Sequence, residues 1–105
     1  MSKVRPIKPS ELARAKENSF PDEVFESFNE LITENFSRGY ANVPQEDVVV
    51  RMIEKGLDRG EIFKRGWLDV EDVYRASGWK VEYDKPGYNE SYSAYFVFKK
   101  PSKSR

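Results

Sequence analysis

Three carboxylates within four residues, Asp69, Glu71 and Asp72, are the place in the chain where side-chain type and spacing suggest chemistry. Carboxylates suit hard cations such as Mg²⁺ and suit proton transfer. On a helix, Asp69 and Asp72 share a face while Glu71 points elsewhere, and Asp69 stands where an N-cap belongs. The trio therefore predicts no convergent pair. Histidine and cysteine are both absent, which removes the usual zinc and copper ligands, disulfides, and His- or Cys-based nucleophile systems. No glycine loop of the Walker type occurs. The expectation is a protein that is not an enzyme, with no catalytic residues, no metal site and no cofactor.

Two other patterns point to binding. Asp22, Glu26, Glu30 and Glu34 recur every four residues with Glu23 alongside, and no Lys or Arg falls between Asp22 and Ser37. Like charges at that spacing oppose helix formation by about 0.2–0.5 kcal/mol per pair. This like-charged face reads either as a solvated outer surface or as a docking surface for a basic partner. The second pattern is Lys80, Lys85, Tyr88 and Tyr92, followed by Lys99 and Lys100. Basic and aromatic side chains on a hairpin can stack on single-stranded bases or meet a partner protein, although tyrosines near a hairpin tip also serve as cross-strand pairs.

The elements that must position these residues follow from periodicity. Residues 1–9 hold Pro6 and Pro9 and read as an extended basic arm. Ser10 offers an N-cap to a helix over 11–18. Pro21 fits the first turn of the next helix, where Ser19 and Asp22 resemble a capping box. Its apolar stripe is Val24, Phe25, Phe28, Leu31, Ile32 and Phe36. A helix stop at Arg38-Gly39 then precedes a short extended piece, possible as an edge strand. Pro44 opens a helix with Val48, Val49, Met52 and Ile53 inward and Gly56 at its end. Asp58 and Glu61 frame a brief helical turn that Gly66 ends. Asp69 caps a last helix that buries Val70, Val73 and Tyr74 and stops at Gly78. Trp79, Val81 and Tyr83 alternate with Lys80, Glu82 and Asp84 as a half-buried strand. Pro86 and Gly87 occupy the central positions of a type II turn. The return strand sets Ala94, Phe96 and Phe98 on one face. Trp67 and Trp79 read as core anchors.

The predicted fold class is α+β, a helical body with a C-terminal antiparallel β-hairpin in winged-helix-like order. At 105 residues, 38% hydrophobic and 14% aromatic, the chain suits one globular domain over 10–100, with a flexible basic tail at 101–105. The net charge is zero but unevenly spread. Lys3, Arg5 and Lys8 lie in residues 1–9, and Lys99, Lys100, Lys103 and Arg105 in 99–105, with no acid in either segment, so all 18 acids fall between them. No run is apolar enough for a membrane span, and residues 1–9 lack a signal-peptide core. The expectation is a cytoplasmic protein without membrane contact. No pattern specifies an oligomeric state.

The phrases FPDEVFESFNELITENF, WLDVEDVYRASGW and especially GWKVEYDKPGYNESYSAYFVFKK resemble small uncharacterised proteins of tailed bacteriophages and prophages, over about residues 5–100. The resemblance implies an intracellular phage protein and transfers no functional residues. A DNA-reading helix over 69–77 would present Asp69, Glu71 and Asp72 against only Arg75, an unfavourable approach to phosphates. The function expected is a binding module for a host protein, with a host-takeover or anti-defence role implied only by the phage resemblance. The alternative is a winged-helix-like regulator that binds DNA or single-stranded nucleic acid.

Overall fold

The computed structural model describes residues 8–100. Five helices and three strands follow one another as α1 (Pro9–Ser19), α2 (Asp22–Asn35), β1 (Tyr40–Pro44), α3 (Gln45–Glu54), α4 (Arg59–Lys64), α5 (Glu71–Ala76), β2 (Lys80–Asp84) and β3 (Tyr95–Lys99). The fold is α+β. The strands form one antiparallel sheet in the order β1-β3-β2, so the C-terminal hairpin gains a third strand from the middle of the chain. That addition supplies what a two-stranded hairpin lacks in water.

One face of the sheet is apolar and meets the helices. Ala41 and Val43 of β1, Val81 of β2, and Phe96 and Phe98 of β3 are buried, and they pack with Val24, Phe28, Leu31 and Ile32 of α2 and Val48, Val49 and Met52 of α3. Phe28 is the hub of this core. Its ring lies 5.1 Å from Phe96, 6.0 Å from Phe98 and 6.0 Å from Tyr74, mostly edge-on, the geometry that aromatic quadrupoles favour. The register aligns Ala41 with Phe98 and Phe98 with Val81 in one inner-face row, one large side chain between two smaller ones, and Val43 with Phe96 and Phe96 with Tyr83 in the next. Both edge strands have a carbonyl taken by a side chain. Asn35 donates to Asn42 O at 2.9 Å, and Arg75 donates to Val81 O at 2.7 Å, which blunts the edges against pairing with another chain.

Several local expectations shift by a residue or two. Helix α1 begins at Pro9 and its N-cap is Lys8, whose backbone N–H donates to the Glu11 carboxylate at 3.2 Å; Ser10 is therefore inside the helix, and Lys8 and Pro9 belong to its start rather than to an arm. The rest of the arm and the tail at 101–105 lie outside the described residues. Ser19 ends α1, its hydroxyl donating to Lys16 O, and Pro21 is the N-cap of α2. No capping box joins Ser19 to Asp22. Phe36 falls just past α2, is exposed, and stacks edge-on against Trp79. Ile53 points outward. Asp58 caps α4, accepting from the Glu61 N–H at 3.0 Å. The N-cap of α5 is Val70, not Asp69. Gly66 and Gly78 take positive φ where helical segments stop, but Gly87 does not. The turn sits two residues later, at Tyr88–Asn89, closed by the Glu90 N–H on Gly87 O and the Gly87 N–H on the Glu90 carboxylate.

Candidate functional site

Where Tyr83 and Phe96 pair on the inner face of the sheet, a cleft of about 330 Å³ opens against the helices. Its lining includes Gln45 at the start of α3, Phe63 of α4, Leu68 and Asp69 in the connection to α5, Glu71 at the start of α5, and Tyr83 and Phe96 of the hairpin. Three devices fix the walls. The Gln45 N–H donates to Ala94 O at 3.0 Å and ties α3 to the hairpin's return. The Tyr83 hydroxyl donates to Gln45 Oε1 at 2.6 Å while its ring lies 4.8 Å from Phe96. Arg59, held by Glu46 through two hydrogen bonds of 3.0 and 3.1 Å, places its guanidinium 5.8 Å from the centre of the Phe63 ring. Phe63 is 49% exposed and Tyr83 38%, so the aromatic walls are open to solvent.

Glu71 is the unusual group. Its Oε1 is buried with no hydrogen-bond partner among the described residues, and an orphaned buried acceptor is costly. Burial raises its carboxyl above the ordinary range; the residue's own backbone N–H opposes that, and the neighbouring Asp69 carboxylate adds to it. Arg75 acts on it only through space. The same burial, with the Glu71 charge behind it, raises the Tyr83 hydroxyl. The nearby cations are engaged elsewhere. Lys16 of α1 reaches Asp69 at 3.0 Å and Asp72 at 3.5 Å, and Arg75 pairs with Asp72 at 3.4 Å besides its bond to Val81 O. No ion pair to Glu71 forms among the described residues.

Comparison with known protein families, curated proteins and solved structures returns no match for this chain. The reading of the site therefore rests on its geometry.

Among the carboxylate trio, Asp69 and Asp72 both meet Lys16, but Glu71 does not stand apart as expected: its carboxyl also meets Asp69 through a side-chain hydrogen bond, and both line the cleft. No group of three or more acidic side chains suited to a metal converges among the described residues.

The acidic face of α2 is not bare. Arg51 of α3 meets Glu34 through two hydrogen bonds of 2.9 and 3.1 Å and Glu30 at 3.0 Å, and Lys55 meets Glu30 at 2.9 Å and Glu26 at 3.7 Å. Hydrogen bonds to Lys55 and Arg51 hold Glu30 below the ordinary carboxylate range, and Arg51 does the same for Glu34. Only Asp22 and Glu23 of the five acids stay outside this clamp, at the first turn of α2, where the helix dipole favours them.

The basic and aromatic set divides. Lys80 and Lys99 are cross-strand partners on the outer sheet face, with Lys99 3.5 Å from Glu82. Lys100 donates its backbone N–H to Gly39 O. At the tip, Tyr92 donates to Asp84 and to Lys85 O, and Tyr95 donates to the other Asp84 oxygen at 3.0 Å. Tyr92 is thus part of the loop's frame; bonding to Asp84 pushes its hydroxyl up to about 12. Tyr88 stands fully exposed at the apex beside exposed Lys85. Trp67 and Trp79 are half-buried and pack against the core, as expected of anchors. Gln45, Phe63, Leu68 and Tyr83 carry no sequence signal of a site; of the lining, the carboxylates of Asp69 and Glu71 stood out by type.

Proposed function

We propose that the protein is a non-catalytic binding module that works in the cytoplasm and docks a partner protein at the cleft between its helices and its hairpin. The observation that carries this reading is an open, aromatic-walled cleft lined by Glu71, a carboxylate that no cation of the described residues pairs. Interfaces are anchored by side chains that fill such pockets, and aromatic rims exclude water around the anchor. The α2 face was the first candidate for a basic partner, but its acids are largely neutralised from within by Arg51 and Lys55. The uncompensated negative charge lies at Glu71 instead, so the partner's contact should be basic there. The sequence resemblance to phage proteins makes a bacterial host the source in which to look.

The test is affinity capture from bacterial lysate, treated with nuclease, comparing the wild-type protein with Phe63→Asp. Phe63 is half exposed and outside the core, so the variant keeps the fold while placing a charge at the mouth. Loss of a captured protein in the variant is the expected result. An identical set for both proteins refutes docking at the cleft. Capture that disappears on nuclease treatment favours the nucleic-acid reading, in which Lys80, Lys85, Tyr88, Lys99 and Lys100 would be the contacts.

A further inference from the structure

We infer that the cleft accepts a single arginine side chain presented by the partner protein, with its guanidinium on the half-buried Glu71 carboxylate and its plane against the aromatic wall. This rests on the docking role proposed above and specifies its chemistry.

Four observations converge. The cleft, at about 330 Å³, lies at the small end of ligand sites, which span roughly 300–1,000 Å³, and suits one side chain rather than a helix or a strand. Its lining holds two carboxylates, Glu71 and Asp69. No cation of the described chain meets the first, because Lys16, Arg75 and Arg59 are paired with Asp69 and Asp72, with Asp72, and with Glu46. An incoming cation therefore supplies a charge that the fold itself withholds. Finally, the walls are Phe63, Leu68, Tyr83 and Phe96, three aromatic rings and one aliphatic side chain.

The walls choose between the two basic side chains. A lysine ammonium is compact and strongly hydrated, so an apolar cleft strips its water for one good bond. A guanidinium is weakly hydrated, stacks on aromatic faces, and offers five donors in a planar fork. It can meet the Glu71 oxygen and still direct other N–H groups to Asp69 or to water at the mouth. The protein already shows this pairing in miniature, since Arg59 lies over Phe63 from outside while its own charge is held by Glu46.

The decisive experiment titrates the ¹⁵N-labelled full chain with N-acetyl-arginine methylamide, followed by amide NMR shifts, with the citrulline and lysine analogues run in parallel. Citrulline has the size of arginine without its charge. The expected result is saturable shifts at Gln45, Phe63, Leu68, Glu71 and Tyr83 for arginine, none for citrulline, and weaker binding for lysine. Glu71→Gln should weaken the arginine analogue by about tenfold or more, since a charge-assisted bond is lost. Absence of saturable shifts, equal shifts with citrulline, tighter binding of lysine, or an unchanged affinity in Glu71→Gln each overturns the assignment. The wild-type comparison needs no variant to fold. If capture depends on Phe63 while the arginine analogue is silent, the arginine assignment fails and docking stands; if the analogue binds while capture ignores Phe63, docking itself fails.

Discussion

Replacing Glu71 by methionine should make the protein more stable and unable to bind the arginine analogue. The gain follows from the geometry. Glu71 Oε1 is buried without a donor, and an unsatisfied buried polar atom costs about 1–3 kcal/mol. Against this stands the favourable position of a carboxylate at the first residue of α5, worth about 0.3–1 kcal/mol near a helix N-terminus. Because the residue is only half-buried, the net expected is near the low end, about 1 kcal/mol. Methionine matches the length and suits the apolar walls. In urea, with a slope of about 1–2 kcal/mol per molar for a small domain, the midpoint should rise by roughly 0.5–1 M. Fluorescence of the half-buried Trp67 and Trp79 reports the transition.

The pH dependence separates this cause from better packing. Burial raises the Glu71 carboxyl in the folded protein, so above the ordinary glutamate range the unfolded chain has lost a proton that the folded one retains. Stability therefore falls as pH rises through the folded value, and is not lost below the unfolded one. The methionine variant lacks this limb. Its advantage should be large at pH 7 and shrink as pH approaches 4.5, the ordinary value for this group. A variant midpoint below wild type at pH 7, or a gap that does not change with pH, would refute the reasoning. A stabilised variant that no longer binds shows a residue kept for what it contacts rather than for folding.

Other perturbations probe the scaffold. Phe28→Ala removes the fully buried hub of the aromatic core and should cost about 3–5 kcal/mol, a large share of the roughly 5–15 kcal/mol of a typical domain; thermal unfolding measures it. Reversing Glu26, Glu30 and Glu34 to lysine confronts Arg51 and Lys55 with three like charges, so the urea midpoint should drop, and an unchanged midpoint would show that the clamp contributes nothing. Since Glu30 and Glu34 are held below the ordinary value of 4.5, their contribution is present at neutral pH and lost as pH falls through the folded values. Arg51→Met should therefore flatten the acid limb of stability while leaving the neutral limb set by Glu71. Asp84→Ala frees the Tyr92 and Tyr95 hydroxyls; Tyr92 should titrate near 10 instead of about 12, and amide exchange should quicken over residues 85–94 but not in the core.

Much of the fold was legible because its signals are local. The stripe from Val24 to Ile32, the proline before each of α2 and α3, and the glycine after α5 all act within a few residues of where they sit. What escaped depends on residues far apart in sequence. Nothing within 40–44 shows that β1 will pair with β3 more than fifty residues later, and so the sheet read as a two-stranded hairpin. The acidic face of α2 misled for the same reason. The rule that no base lies near those acids holds along the chain but fails in space, because α3 packs beside α2 and brings Arg51 and Lys55 across.

The cleft shows how a site can hide behind local logic. Helical spacing put Asp69 with Asp72 and set Glu71 apart, but in space the Glu71 carboxyl also meets Asp69 beside the cleft that both line. Whether it faces water or protein is decided by what lies opposite. The sheet extends past the short α5, and Tyr83, anchored on Gln45, closes the side towards which Glu71 turns. A six-residue helix leaves its first side chain beside whatever packs at its end. The charge that chain-order reasoning set apart lines a cleft and forms no ion pair among the described residues. The charges it favoured, on α2, are the ones the fold consumes to hold α3 in place. A partner is better sought at Glu71, which lines an open cleft, than on the α2 face, where Arg51 and Lys55 already hold Glu26, Glu30 and Glu34.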